Sequence, residues 1–220
     1  MIIFSIIYCL FLCGYFVTRV GNNIKARAIN KYIMAVMYMV YAIVKYQLGF
    51  GLDTIETILM LALFLAFLGD IFLVFDLDRG GDFFLAGNVA FVVYYLALYN
   101  QHGLTFGDYW FVLVAWLVIY GTFVVCSNVF PKVFKFGKMK FGMTFYLSSI
   151  MMHGMFGLGA MILVPTTAAF VCGLGSLMFM ISDCILTVDK FVIVGNKWIT
   201  RSNSFFYFIG LLLIALSLGL

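Results

Sequence analysis

Proline and charge are both scarce in this chain. Only 2 of its 220 residues are proline and 10% are charged, while 65% are hydrophobic. So little charge excludes the surface of a water-soluble globular domain. Strict apolar/polar alternation is missing, which argues against a transmembrane barrel and leaves helices as the spanning element. Histidine is limited to His102 and His153, which fall in different segments and do not form a metal-ligand cluster, so no zinc or other metal is expected. The five cysteines, at 9, 13, 126, 172 and 184, show no C-x-x-C spacing and read as small core residues. A G-x-S-x-G elbow, an H-E-x-x-H pair and a Walker A loop are absent, which removes the common serine hydrolases, zincins and nucleotide-driven pumps.

What remains is apolar sequence in blocks long enough to cross a bilayer. The blocks lie at about 2–18, 31–49, 55–77, 84–101, 109–127, 143–162, 166–188 and 204–220. The expected fold is an all-α integral membrane protein of eight transmembrane helices, with residues 1–220 forming one transmembrane domain. The first block lacks a basic n-region and a small-residue cleavage site, so it reads as a retained span.

Charge is distributed unevenly among the connections. Arg19, Lys25, Arg27 and Lys31 follow the first block, Arg79 the third, Lys132, Lys135, Lys138 and Lys140 the fifth, and Lys190, Lys197 and Arg201 the seventh. The second, fourth and sixth connections hold no Lys or Arg, apart from Lys45 at the end of the second block. By the positive-inside rule the odd connections face the cytoplasm, and both termini are exoplasmic or lumenal. The net charge of +4 then serves topology and anionic-lipid contact, and no nucleic-acid partner is needed.

The third and seventh blocks run in the same direction and end alike. One closes G-D-I-F-L-V-F-D at 69–76, the other S-D-C-I-L-T-V-D at 182–189. The shared pattern, small-Asp-x-x-Leu-x-x-Asp four blocks apart, suggests two parallel four-helix repeats. Asp70 and Asp183 each precede their outer aspartate by six residues, which is ~9 Å of helix rise. A carboxyl at that depth is costly in lipid and is expected to face the bundle interior. Asp76 and Asp189, at the interface, read as water-solvated boundary charges. For the inner pair the structural alternative is a polar clamp between helices. The functional alternative is a carboxyl pair around a substrate, where one group carries a proton and the other does not, so that both general acid and general base are present.

By the same depth argument Asn88, Tyr146 and Tyr207 fall near the aspartates, and Ser182 adjoins Asp183. They are candidate pocket residues, although each residue type is also ordinary helix packing. His153 falls nearer the middle of its span.

With these residues assembled, the chain resembles the YhhN-type lysoplasmalogenase family. The resemblance rests on "GD" at the end of the third span, Gly87 and Phe91 as a G-x-x-x-F, Tyr146 with Met152, and "ISDCILTVDKF" up to Phe191. It extends over almost the whole chain. Asp70 and Asp183 match the family's two intramembrane aspartates, and Lys31 a lysine at the start of the second span. Three positions depart from the pattern: Tyr95 stands where the family commonly has histidine, Tyr32 follows Lys31 in place of proline, and Leu211 replaces a frequent glutamine. A tyrosine there donates a hydrogen bond but does not shuttle protons near neutral pH.

The resemblance implies hydrolysis of the vinyl ether bond of lysoplasmalogens to a fatty aldehyde and glycerophosphocholine or glycerophosphoethanolamine. Asp70 and Asp183 would be catalytic, and Lys31, Asn88, Tyr95, Tyr146, Ser182 and Tyr207 would bind substrate. No cofactor is required, and the partners are the lysophospholipid and membrane lipids. The implied location is the endoplasmic reticulum in a eukaryotic cell, or the inner membrane in a bacterium. The competing reading is a small-molecule, ion or lipid transporter or binding protein using the same aspartates.

Overall fold

The computed structural model describes residues 2–19, 24–48, 53–73, 75 and 77–220. These residues form helices α1 (Ile2–Arg19), α2 (Ile24–Leu48), α3 (Thr54–Phe72), α4 (Leu77–Gln101), α5 (Phe106–Val129), α6 (Lys140–Leu163), α7 (Thr167–Phe191) and α8 (Lys197–Ser217). A 3-10 turn, Gly137–Met139, precedes α6, and no strand occurs among the described residues. The seven helices α2 to α8 are long and apolar enough to span a membrane, so the protein is a multi-pass integral membrane protein. The apolar stretch of α1, Phe4–Arg19, is shorter.

Helices α2, α4 and α8 begin at 24, 77 and 197, each seven residues ahead of the apolar blocks that start at 31, 84 and 204. Hydropathy marks where the chain enters hydrocarbon, whereas helical hydrogen bonding continues into the polar interface. The ends have local causes. The Asp53 side chain accepts from the Ile55 amide, Thr166 from Ala169, and Asn196 from Trp198 and Ile199. Thr105 and Asp108 close a capping box, with the Thr105 amide donating to Asp108 Oδ2 at 2.7 Å.

The order of neighbours is regular. Helices α2, α3, α4, α6, α7 and α8 follow one another in contact, and α8 returns to α2. Helix α1 lies against α2 and α8, and α5 packs on α6. Tyr8 ties α1 to α8 by donating to the Phe208 carbonyl (2.9 Å), and Trp116 ties α5 to the Ser148 carbonyl of α6 (3.0 Å).

Close backbone approach brings α7 into the middle of one side. A Cβ on Gly157 of α6 would lie 2.7 Å from Ser176 Cβ, and one on Gly175 would lie 2.6 Å from the Gly210 carbonyl of α8. Small residues at such crossings let helices associate without a hydrophobic driving force. Between α3 and α4 the chain reverses tightly: a Cβ on Gly80 would lie 2.7 Å from Leu73 Cα.

Candidate active site

Asp70 lies in the last turn of α3, two residues before its end at Phe72, and is fully buried. Asp183 lies eight residues before the end of α7 at Phe191, which is ~12 Å of rise, and is buried as well. The shared 9 Å depth expected from sequence is therefore not a shared distance from the helix ends. The tight α3–α4 reversal lets a carboxyl in a terminal turn be covered by protein. Asp76 lies outside the described residues.

Three elements surround Asp70. From α2, the Lys31 ammonium stands 3.1 Å from Oδ1 and the Tyr38 hydroxyl donates to Oδ2 at 3.3 Å. Residues 31 and 38 are one heptad apart and share a helix face. From α8, the buried Tyr207 hydroxyl faces Asp70, outside strict hydrogen-bond geometry.

Asp183 has a parallel surrounding, with no cation in ion-pair contact among the described residues. The Tyr146 hydroxyl of α6 donates to Oδ2 and Ser182 Oγ to Oδ1 (3.3 Å). Asn203 of α8 donates to the Ser182 carbonyl at 2.8 Å and so fixes this turn of α7. Asp183 is within electrostatic range of both Asp70 and Lys31. Each aspartate thus accepts a hydrogen bond from a tyrosine of the preceding helix.

Asn88 and Tyr95 belong to a different cluster. Asn88 donates to Ser149 Oγ (3.2 Å), and its carbonyl oxygen meets His153 Nδ1 at 3.2 Å. The other ring nitrogen of His153 meets Ser176 Oγ at 2.8 Å, and Ser176 meets the Tyr95 hydroxyl at 2.6 Å. The imidazole is stacked on Phe91, with centroids 4.2 Å apart and planes 3° from parallel. Phe179 contacts both His153 (5.7 Å) and Tyr207 (5.3 Å), which sets an aromatic ring between this file and the carboxyls. The two clusters touch at α6, where Ser149 Oγ donates to the Tyr146 carbonyl at 2.7 Å.

The model of the YhhN family matches residues 26–218. The chain belongs to the YhhN family. No curated protein and no solved structure matches it. The YhhN match takes in α2 from its third residue through the last turn of α8, and therefore every residue of both clusters.

Within this YhhN-family site the structure brings Lys31, Tyr146, Ser182 and Tyr207 to the aspartates and draws Asn88 and Tyr95 away to His153. Tyr38, Asn203 and Ser176 were missed in the sequence. Tyr38 was legible from its heptad spacing to Lys31, whereas Ser176 carried no signal beyond being a serine in an apolar helix. Asp189 also differs from the solvated charge expected: it is buried and accepts from Thr200 Oγ1 of α8 at 3.1 Å. The reason is that α8 starts at Lys197, early enough for its first turn to cover the end of α7. No group of three or more His, Cys, Asp or Glu side chains suited to a metal occurs among the described residues.

Proposed function

We propose that this protein hydrolyses the vinyl ether bond of lysoplasmalogens, with Asp70 and Asp183 as an acid/base pair. Membership of the YhhN family supports a hydrolase of the lysoplasmalogenase type at family level. The observation that carries the reading is the pair of buried carboxyls, Asp70 at 0% and Asp183 at 3% exposure, coupled electrostatically and each held by a tyrosine.

The chemistry requires one proton donor and one acceptor. A protonated carboxyl delivers its proton to the vinyl carbon beta to oxygen, which leaves an oxocarbenium ion. The ionised carboxyl opposes that positive charge and takes a proton from the attacking water, giving a hemiacetal. In collapse the second carboxyl returns its proton to the departing glyceryl oxygen, while the first takes the hydroxyl proton as the aldehyde forms. Both carboxyls end as they began, and no cofactor enters. Tyr207, whose buried hydroxyl faces Asp70, is suited to hold the water or the ether oxygen. The alkenyl chain would lie among the apolar helices and the phosphate near Lys31. Helix neighbours repeat in the order α1·α2, α2·α3, α3·α4, α4·α6 and α5·α6, α6·α7, α7·α8, α8·α2, which supports two parallel halves, each contributing one Tyr–Asp pair to a single membrane domain.

The test is aldehyde release from a choline or ethanolamine lysoplasmalogen by purified protein, with an ester lysophospholipid as control. Vinyl-ether-specific turnover that disappears in folded Asp70→Asn and Asp183→Asn variants is the expected result. A second reading, proton- or cation-coupled transport, is favoured by one observation: the hydrogen-bonded file Tyr95–Ser176–His153–Asn88–Ser149 that continues from Tyr146 along the bundle. Well-folded native protein that releases no aldehyde would shift the assignment to it.

A further inference from the structure

Lys31 is the more accessible member of its ion pair with Asp70: its side chain keeps 16% of its exposure while the Asp70 side chain keeps 1%. The titratable and charged groups facing Asp70 are Tyr8 and Tyr15 on α1, Lys31 and Tyr38 on α2, Tyr146 on α6, Asp183 on α7 and Tyr207 on α8. Helix α4 contributes an aromatic ring instead: a Cβ on Gly69 would lie 2.8 Å from the Phe84 ring. Lys31 is therefore the one cation in this set, opposite two carboxyls.

A buried carboxylate is tolerated while a cation neutralises it, and it takes a proton when that cation is withdrawn. A phosphodiester monoanion arriving at Lys31 competes for the same ammonium with its two non-bridging oxygens.

We propose that the phosphate of an incoming lysophospholipid displaces Asp70 from Lys31, and that Asp70 takes a proton from solvent in exchange. The exchange conserves the charge around the Lys31–Asp70 pair: lysine with carboxylate before, lysine with phosphate plus a carboxylic acid after. No bond other than the O–H of Asp70 is made in this step. The exchange arms Asp70 as the acid only when a phosphate-bearing lipid is present. It leaves Asp183, held by the Tyr146 and Ser182 hydroxyls, as the carboxylate. The identity of the lipid rests on the hydrolase reading given above; the exchange itself rests on the Lys31–Asp70 pair.

The experiment is proton uptake on ligand binding by the full chain, purified in a maltoside detergent and held in weak buffer near neutral pH. The probe is 1-O-hexadecyl-glycero-3-phosphocholine, whose saturated ether cannot be protonated and cleaved as a vinyl ether. Hexadecylglycerol supplies the chain without phosphate, and glycerophosphocholine the phosphate without the chain. The expected result is about one proton taken up per bound phospholipid and none with hexadecylglycerol. Uptake with glycerophosphocholine as well would support the exchange and make the headgroup sufficient for it. Lys31→Met and Asp70→Asn should bind the probe without uptake, while Lys31→Arg and Asp183→Asn should retain it. Binding without uptake, uptake that survives Asp70→Asn, or no binding of the phospholipid by native protein would each overturn the proposal. Aldehyde release is scored separately. Uptake without turnover removes the hydrolase reading and keeps the exchange, and turnover without uptake does the reverse.

Discussion

Asp70 and Asp183 occupy comparable places and keep different company. Both are buried in the C-terminal half of their helices, and both accept from a tyrosine one helix earlier. Asp70 then meets a lysine at 3.1 Å, whereas Asp183 meets only the Ser182 hydroxyl. Two carboxyls of one chemical type are distinguished here by a single cation. That is the asymmetry an acid/base pair needs, because a symmetric pair would have no reason to hold its proton on one member.

The most severe way to probe the comparison is to remove the carboxyls themselves. Asp70→Asn and Asp183→Asn should each lower aldehyde release by about 10²–10⁴-fold, the range of positioned acid/base groups. The double variant should lose little more than either single one, since the two act as a unit. Additive losses would mean that they do not act together.

Removing the asymmetry comes next. Lys31→Met should lower kcat/KM for a choline lysoplasmalogen by about 10- to 100-fold, the worth of a hydrogen bond to a charged group, with Lys31→Arg recovering most of it. An unchanged kcat/KM would make Lys31 a mere topology charge.

Smaller effects separate the tyrosines. Tyr146→Phe should cost about tenfold in turnover, and Tyr38→Phe only a few-fold, because Asp183 acts as the carboxylate and falls back on Ser182 alone, while Asp70 acts in its protonated form. Equal losses would show that the lysine does not distinguish the two sides.

Least of all should the reaction respond to the second cluster. His153→Leu leaves Asn88 and Ser176 without their ring partner, and should destabilise the detergent-solubilised protein by roughly 1–3 kcal/mol. Turnover of the folded fraction should stay within about threefold, as expected of a ring whose hydrogen bonds go to Asn88 and Ser176 and to neither carboxyl. Thermal unfolding together with aldehyde release checks both parts.

Much of this site could be read along the chain. The pairing of Asp70 with Asp183 followed from two similar helix endings, Tyr146 and Tyr207 from their level along the helices, Ser182 from its place beside Asp183, and Lys31 and Tyr95 from the family resemblance. Asn88 shows where reasoning from level stops. Asn88 sits at a suitable level but on a face of α4 turned to α6, where His153 and Ser149 take its hydrogen bonds. Tyr38 escaped notice although it shares a face with Lys31, because tyrosine is frequent in this chain: 13 residues, which gives any one of them little weight. The helix starts at 24, 77 and 197 were hidden because polar interfacial turns carry no hydropathy signal.

The sequence by itself determined that the chain lives in a membrane, where its apolar spans lie, and that two carboxyls sit within them. Those properties depend on local composition and on the cost of a charge in hydrocarbon, which every span meets independently. Tertiary structure alone decided that Lys31 neutralises Asp70 and not Asp183, that Tyr38 joins them, and that Asn88 and Tyr95 turn to His153. Depth along a helix is counted in residues. Rotation about its axis and choice of neighbour are set by close packing at Gly157, Gly175 and Gly210, which no single span contains.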